Sequence, residues 1–277
     1  MKAASFRYER PTSVVDALRI LDSEGPEAKL IAGGQSLGPM LNLRVVQPTV
    51  LVDISALPEL RRASVEGDDV VLGACITHAD IEDGRAGSDL GGVLARIASG
   101  IAYRAVRNRG TIGGSLCHAD PAADWVTTLP ALGAVATIRG LRGERRIPVE
   151  AFVTGALTNA LNPCEILVAV RVPKRAPQSL FGYAKSCRKL GEFSKASAAI
   201  LVEPEVMTGR VALGALDGAP RVAGAQDLLS KGRADGAPIR VKPEATTAVL
   251  IAAGVADSVQ RHIHAAVLAR AAREMAA

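Results

Sequence analysis

The sequence predicts an α+β protein in two parts that divide near residue 175. In the first part, short apolar runs typical of strands alternate with helical patterns, and glycine-rich loops join them. In the second part, three strand patterns precede a long stretch, residues 255–275, with the spacing of a helix. Residues 173–177 combine two prolines with two cations, which is the composition of a linker.

The opening segment predicts a helix and then a strand, a short helix and a second strand. Thr12 or Ser13 can cap the first helix, whose apolar face is "VV..L..L", and Gly25 ends it. "AKLIAGG" is typical of a short buried strand that leads into a glycine pair. Pro39 fits the first turn of the following helix, and "TVLVDIS" has the pattern of a strand.

The middle of the chain predicts hairpins, helices and a further strand. "LRRASVEGDDVVLGAC" indicates two strands joined by a turn at residues 67–69, and Thr77 can cap a short helix after them. Residues 90–102 have helical spacing, and a helix is expected from Pro121 to Leu132. A hairpin around residues 140–143 and the strand "CEILVAVRVP" complete this part. "SLFGYAKSCRKL", "KASAAILVEP" and "GRVALGAL" predict the later sheet, with the tail helices on one side of it.

Composition restricts the classes of function. The chain has 277 residues, 48% of them hydrophobic, so a real core is available. We expect neither a membrane span nor a secretory signal, because no apolar run reaches about 18 residues and the start is polar, and a cytoplasmic location follows by default. The net charge of +5 does not indicate nucleic-acid binding, since aromatic residues make up only 3%. A basic rim facing an anionic cofactor or an acidic partner subunit explains that charge as well.

The four cysteines stand far apart, with no C-x-x-C motif and no histidine pair at ligand spacing. The sequence therefore predicts no metal site and no disulfide framework.

Two loops carry adjacent glycines followed by a hydroxyl residue and a predicted helix: "AGGQSL" at 32–37, called the first glycine loop, and "RGTIGGS" at 109–115, called the second glycine loop. Adjacent glycines can adopt positive φ, so their N–H groups can converge on an anion, and two such loops suit a diphosphate. A lone glycine pair is far more often a tight turn than a phosphate site, but two pairs, each followed by a hydroxyl residue and a helix, favour binding. Neither G-x-G-x-x-G nor G-x-x-x-x-G-K-[ST] occurs, which argues against Rossmann and P-loop proteins.

Three polar residues follow the second glycine loop. Asp120 and Asp124 are either an N-cap and a dipole partner of the helix predicted from Pro121, or carboxylates that accept ribose or ring hydrogen bonds. His118 is a loop histidine or a base, but no Ser-His-Asp or Cys-His arrangement surrounds it.

"KLIAGGQSLGPMLNLR", "NRGTIGGSLCHADPAADW" and "RKLGEFSKASAAI" resemble, in order and spacing, the FAD-binding medium subunits of molybdenum hydroxylases. This group includes xanthine dehydrogenase and aerobic carbon monoxide dehydrogenase. The tail "DSVQRHIHAAVLARAARE" resembles the closing helix of the same family, so the resemblance covers essentially the whole chain.

The resemblance implies a vanillyl-alcohol-oxidase type of FAD-binding domain over residues 1–175, with α/β subdomains at about 1–56 and 57–175. A C-terminal α+β domain over residues 176–277 is implied to cover the ring end of FAD. The implied cofactor-binding residues are Ala32, Gly33, Gly34, Gln35, Ser36, Leu37, Thr111, Ile112, Gly113, Gly114 and Ser115 for the diphosphate, and Asp120, Asp124, Leu161, Ile166, Lys185 and Phe193 elsewhere.

Phe193 marks a departure from the family pattern. It stands where carbon monoxide dehydrogenase-like relatives have a tyrosine beside the isoalloxazine. A ring can still shield the flavin there, but a phenolic hydroxyl is lost.

The resemblance also implies partners: a large subunit with the molybdenum pterin and a small subunit with [2Fe-2S] centres, in a dimer of heterotrimers. Electrons would pass from the [2Fe-2S] centres to FAD in this chain and on to an external acceptor. No catalytic base, nucleophile or metal ligand is then expected here. Two alternatives remain open: a stand-alone FAD-dependent oxidoreductase of the same fold, and a flavin-free scaffold protein.

Overall fold

The computed structural model describes residues 2–87, 92–189, 191–230 and 239–275. The chain forms two compact units that interleave along the sequence. The first unit contains residues 1–118, 135–147 and 159–172, and the second contains residues 119–134, 148–158 and 173–277. The sequence predicts two domains that are each continuous in the chain and meet at residue 175. The compact units are each made of several chain segments, so they do not test that division, which stays a prediction.

The secondary structure mixes strands and helices, and three sheets contain antiparallel pairs, so the predicted α+β class is confirmed. The strands are β1 (Arg7–Glu9), β2 (Ala28–Ile31), β3 (Val50–Asp53), β4 (Ala63–Glu66), β5 (Asp69–Gly73), β6 (Val135–Gly140), β7 (Gly143–Pro148), β8 (Val153–Gly155), β9 (Thr158–Asn159), β10 (Glu165–Pro173), β11 (Leu180–Ser186), β12 (Ala196–Glu203), β13 (Thr208–Gly214), β14 (Arg221–Gly224), β15 (Leu229–Ser230) and β16 (Arg240–Val241). The helices are α1 (Val14–Glu24), α2 (Leu37–Asn42), α3 (His78–Glu82), α4 (Val93–Ser99), α5 (Arg104–Arg107), α6 (Ile112–His118), α7 (Asp124–Ala131), α8 (Val149–Phe152), α9 (Ala225–Leu228), α10 (Pro243–Ala252) and α11 (Ser258–Glu274).

The first unit begins with a parallel sheet in the order β1-β3-β2. Helix α1 begins where the sequence predicts, because the Ser13 side chain accepts a hydrogen bond from the Asp16 N–H. It ends at Gly25, whose φ of 60° is open to glycine at no steric cost. The apolar face of α1 is buried against β2 and β3, so this part of the chain has a core of its own.

A second sheet in the first unit has the order β4-β5-β10-β6-β7. The hairpin turn predicted at residues 67–69 joins β4 and β5, and the turn predicted around residues 140–143 joins β6 and β7. Strand β10 enters the sheet between β5 and β6, antiparallel to β6, although three further strands separate it from β6 in the chain. The centre of this sheet therefore depends on pairing between strands that are distant in sequence.

The second unit is built on an antiparallel sheet in the order β11-β12-β13-β14, with a helix on each face. A Cβ on Gly182 of β11 would lie 2.0 Å from the Ala271 carbonyl of α11, and one on Gly214 of β13 would lie 1.8 Å from Thr127 Oγ1 of α7. These glycines pair with Ile200 and Ser197, which point to opposite faces of β12. Helix α11 thus covers one face, as predicted for the tail, and α7 covers the other.

Two predicted helix boundaries differ from the structure, whereas Pro39 lies in the first turn of α2, as predicted. Helix α7 begins at Asp124 rather than at Pro121. The helix predicted over 90–102 occupies 93–99, and residues 90 and 91 lie outside the described residues, as does Leu190 at the end of the predicted strand "SLFGYAKSCRKL". None of the helices in the described ranges has the length and apolar character needed to span a membrane.

Candidate functional site

The first glycine loop connects the end of β2 to the start of α2. Gly34 has a φ of 71°, a conformation that favours glycine, and it turns the chain toward the helix. Gln35 and Ser36 are exposed at the tip, and the Gln35 amide donates back to the Gly33 carbonyl over 3.3 Å. The loop is therefore a formed turn with polar side chains on its solvent side.

The backbone N–H groups of residues 33–37 have no acceptor among the residues that the structure describes. The next amide, that of Gly38, already donates to the Gly34 carbonyl over 2.8 Å. Consecutive amides without acceptors carry partial positive charge, and a half-exposed turn can offer them to water or to an anion. The first glycine loop thus has the donor set expected of an anion-binding turn.

The second glycine loop lies directly against the first. A Cβ on Gly33 would lie 2.0 Å from the Arg109 carbonyl oxygen and 2.8 Å from the Gly110 Cα. Glycine is required at residue 33 by this close approach of two backbones, whereas at Gly34 it is favoured by positive φ. The contact between the two loops, which the diphosphate hypothesis needs, is present within the first unit.

The second glycine pair lies in a helix and not in a turn, which corrects the sequence interpretation. Residues 112–118 form α6, and the Ile112 and Gly113 amides donate to the Ile76 and Ala74 carbonyls over 3.1 and 2.9 Å. A Cβ on Gly113 would lie 2.5 Å from the Ala74 Cβ, so glycine is needed here for packing. The prediction that both loops turn their amides toward one anion is therefore wrong for these two residues.

The remaining polar groups at the start of α6 differ in whether they already have a hydrogen-bond partner. Thr111 is buried, and its Oγ1 accepts from the Gly114 N–H over 3.0 Å, so it caps α6. The Ser115 amide donates to the Thr111 carbonyl over 3.0 Å. The Ser115 hydroxyl is half-buried and has no partner in the described part of the chain. Of residues 111–115, Ser115 therefore offers the side-chain donor.

Leu161 and Ile166 also belong to the first unit. The Leu161 N–H donates to Asn159 Oδ1 over 3.0 Å, and Asn159 Nδ2 donates to the Cys117 carbonyl at the end of α6 over 2.7 Å. Ile166 is buried in the core shared with α1 and β3, so its side chain serves packing. The Asn159 amide thus ties the Leu161 segment to the helix that carries the second glycine pair.

Asp124, Tyr183 and Lys185 form a buried polar cluster in the second unit. Asp124 Oδ1 accepts from the Tyr183 hydroxyl over 2.7 Å and from Lys185 Nζ over 2.7 Å. The side chains of Asp124 and Lys185 are 9% and 13% exposed, so a full ion pair is held away from water. Burial, followed by the Asp124 charge, raises the pKa of Tyr183 well above its usual value, and its hydroxyl stays a donor.

The other predicted residues of the second unit, Asp120 and Phe193, lie in a turn and at the surface. Asp120 Oδ1 accepts from the Ala122 N–H over 2.9 Å in a turn, and the N-cap of α7 is Ala123, so Asp120 does not cap that helix. Phe193 is 73% exposed, so its ring is open to solvent or to a ligand. His118, in the first unit, lies in the last turn of α6.

The predicted residues are therefore distributed over the two units. Residues 32–37 and 111–115 meet in the first unit, which also holds Leu161 and Ile166, whereas Asp120, Asp124, Lys185 and Phe193 belong to the second. Sequence reasoning missed Tyr183, although its position two residues before Lys185 on β11 places both side chains on one face. It also missed His78, whose only sequence signal is that it follows the cap residue Thr77.

Comparison with known proteins adds family information to this geometry. The family described as the FAD binding domain in molybdopterin dehydrogenase matches residues 4–175. The 6-hydroxypseudooxynicotine dehydrogenase complex subunit alpha of Paenarthrobacter nicotinovorans is 39% identical over 202 residues, covering 73% of this chain and 68% of that protein. The nicotine 6-hydroxylase medium subunit of the same organism is 35% identical over 234 residues, covering 83% and 82%. A solved structure of carbon monoxide dehydrogenase from Hydrogenophaga pseudoflava matches with a TM-score of 0.84 at 32% identity, covering 99% and 98%.

Proposed function

Because this chain belongs to the family of FAD-binding domains in molybdopterin dehydrogenases, we propose that it is the FAD-carrying, electron-transferring subunit of a molybdenum hydroxylase. The FAD-binding domain is the part that the family match covers, residues 4–175. FAD, when bound, supplies redox chemistry that links single-electron carriers to a two-electron acceptor, and the protein supplies binding and orientation.

The observation that carries the proposal is the set of amides without acceptors in the first glycine loop. A diphosphate presents several acceptor oxygens and a negative charge, and residues 33–37 present consecutive donors on a turn held by the second loop. A Cβ at residue 33 would enter the backbone of the second loop, so this cradle requires glycine. The residues present therefore fit the phosphate part of FAD.

The side chains of the first unit have distinct proposed roles. Ser36 and Ser115 donate hydroxyl hydrogen bonds to phosphate oxygens, and Gln35 and Leu37 complete the turn. Thr111 holds the start of α6 through its cap, and Gly113 and Gly114 allow that helix to pack closely. Leu161 and Ile166 offer backbone groups toward the adenine half.

In the second unit, we propose that Lys185 borders the flavin region and that Asp124 is the family's acidic cofactor-binding residue after the second glycine loop, as the resemblance implies. The structure adds that Asp124 already accepts two hydrogen bonds on Oδ1, so we propose that it fixes the Lys185 ammonium. Phe193 shields the flavin with its exposed ring, and Asp120 shapes the turn before α7. No residue of this chain is assigned as a base or nucleophile.

We further propose the assembly that the resemblance implies. A large subunit holds the molybdenum pterin and a small subunit holds [2Fe-2S] centres, in a dimer of heterotrimers, and this chain passes electrons to an external acceptor. Two of the relatives named above are called a complex subunit and a medium subunit, which supports a multi-subunit context. The vanillyl-alcohol-oxidase type of arrangement, the division at residue 175 and the cytoplasmic location are parts of this proposal.

The test compares FAD with riboflavin, which carries the same ring and ribityl chain but lacks both the diphosphate and the adenosine. We expect the full chain, prepared without flavin, to bind FAD at least about a hundredfold more tightly than riboflavin in a fluorescence titration. Equal affinities, or a chain that ignores FAD, would contradict the assignment of the first glycine loop. Purification from the source organism should also recover iron and molybdenum with partner chains, and flavin reduction by an organic donor without them would favour a stand-alone oxidoreductase.

A further inference from the structure

His78 lies at the start of α3 and is 5% exposed. The preceding Thr77 caps this helix through a reciprocal pair: its side chain accepts from the Asp80 N–H over 3.0 Å, and the Asp80 carboxylate accepts from the Thr77 hydroxyl over 2.6 Å. Thr77 also pairs with Thr111 in a single antiparallel bridge. The ring of His78 is therefore carried on a fixed backbone beside the second glycine loop.

His78, Gly110 and Gly33 form a continuous chain of contacts. The His78 N–H donates to the Gly110 carbonyl over 2.9 Å, and a Cβ on Gly110 would lie 2.9 Å from both Cδ2 and Nε2 of the imidazole. The Gly110 Cα in turn lies 2.8 Å from the position of a Cβ on Gly33. The imidazole thus supports Gly110, and Gly110 supports the residue at which the acceptor-free amides begin.

An ion pair between α5 and α3 also fixes the chain just before the second glycine loop. Arg107 of α5 donates from Nε and Nη2 to the two carboxylate oxygens of Glu82 in α3, over 2.7 and 2.9 Å. Its Nη1 donates to the Ile101 and Ala102 carbonyls over 2.9 and 3.1 Å. The side chain of Arg107 is only 12% exposed, and a two-point pair of this kind constrains geometry. Residues 108–110 therefore leave a helix that is fastened to the one carrying His78.

We propose that His78 is a positioning residue for FAD binding, whose ring sets the position of Gly110 and hence the geometry of the first glycine loop. This inference rests on the proposed function of that loop as the diphosphate site. The contacts of His78 that carry this inference are with Gly110, so the contribution proposed for its ring is packing against that residue. Because packed interiors transmit small displacements, shortening this side chain displaces the donors at residues 33–37.

The experiment measures FAD dissociation constants for the full chain at a temperature where circular dichroism shows each variant to be folded. For His78→Ala we expect a rise of about tenfold, which corresponds to a modest loss of donor alignment. Riboflavin affinity, where measurable, is expected to change less, because riboflavin has no diphosphate. His262→Ala, at an exposed position in α11 of the second unit, is the matched control and should bind FAD like the wild type.

A second variant changes the other residue of the same contact. Gly110→Ala places a Cβ 2.9 Å from the imidazole, and we expect a weakening of FAD binding comparable with that of His78→Ala. In the double variant the imidazole is gone and the nearest remaining atom is the Val106 carbonyl oxygen at 3.2 Å. The combined loss should therefore be smaller than the product of the single losses, which is a coupling that general loss of stability does not produce.

The outcomes separate the two proposals. A wild-type chain that does not bind FAD overturns the proposed function and this inference with it. A wild-type chain that binds FAD, together with His78→Ala binding equally well, overturns the inference alone. If His78→Ala does not fold, Gly110→Ala decides, since unchanged FAD affinity in that variant shows that this contact does not position the loop.

Discussion

At the scale of single residues, the glycines of the two loops serve different physical requirements. Gly34 provides a positive φ, Gly33 allows two backbones to touch, and Gly113 allows a helix to lie on Ala74. The sequence shows adjacent glycines in both places but does not separate these requirements, because close approach depends on a neighbour distant in the chain. The first glycine loop could be predicted as a glycine pair, whereas the contact of Gly33 with the backbone of Arg109 and Gly110 could not.

The first prediction concerns Gly33→Ala. Its Cβ would lie 2.0 Å from the Arg109 carbonyl, so one of the two backbones must move. We expect a loss of stability of about 2 kcal/mol or more and a loss of FAD binding. Urea unfolding and FAD titration measure both effects. Gly218→Ala is the control, because nothing lies within 4 Å of its Cβ position, and a Gly33→Ala chain as stable as this control would contradict the close contact.

The second prediction concerns the pH dependence contributed by His78. Burial, with a smaller contribution from the Arg107 charge, lowers the pKa of His78 to about 4 in the folded chain. The unfolded chain takes up this proton near pH 6.5, so the free energy of unfolding falls as pH drops from about 6.5 to about 4. The total loss from this group is roughly 3 kcal/mol. Above pH 6.5 the group is neutral in both states and contributes no slope.

Urea unfolding across this pH range, for the wild type and for His78→Gln, measures that slope. The difference between the two curves removes the contributions of the carboxylates, which both chains share. We expect the wild-type curve to be steeper between pH 6.5 and pH 4. The hydrogen bonds from Arg107 lower the pKa of Glu82 below its usual value. Parallel curves would show that His78 titrates in the folded chain as it does in water.

At the scale of elements, local signals predicted several boundaries correctly. Ser13, Thr77 and the two hairpin turns act through neighbours in sequence, so their patterns carry the information. Helix α6 was missed because a glycine pair disfavours a helix locally, and the Thr111 cap with packing on Ala74 overrides that preference. The start of α7 was misplaced for a related reason, since Pro121 and Asp120 form a turn of their own.

The third prediction concerns the buried cluster on α7 and β11. Asp124→Asn leaves the Lys185 ammonium buried beside a neutral amide, and removal of one partner from a buried pair costs about 3 kcal/mol or more. Thermal and urea unfolding measure this loss. Tyr183→Phe keeps the ion pair and removes one hydrogen bond, so its expected cost is about 1 kcal/mol. A larger cost for Tyr183→Phe than for Asp124→Asn would contradict the central position of Asp124.

At the scale of the whole molecule, the interleaving of the two units is the feature that sequence patterns did not reveal. Strand β10 pairs with β6 although three strands lie between them in the chain, and α7 packs against a sheet whose strands begin after residue 179. Such pairings depend on contacts between distant segments, and periodicity reports only which residues are apolar. The α+β class and the family resemblance were accessible because strand patterns and the glycine motifs are local.

The fourth prediction concerns the effect of FAD on the stability of the full chain. A ligand that binds only the folded state raises the free energy of unfolding by about 2.7 kcal/mol at a free concentration of one hundred times its dissociation constant. We therefore expect the melting temperature to rise steadily with added FAD and much less with riboflavin. Calorimetry or fluorimetry over a concentration series measures this, and a melting temperature that FAD leaves unchanged would contradict binding.

The central claim is that the acceptor-free amides of the first glycine loop bind the diphosphate of FAD. Amide chemical shifts of the isotopically labelled full chain, recorded with and without FAD, test it most directly. We predict that the N–H signals of residues 33–37 move strongly, whereas those of Ile112 and Gly113, which already donate to the Ile76 and Ala74 carbonyls, move less. Large shifts at Ile112 and Gly113 with unchanged signals at residues 33–37 would contradict the account.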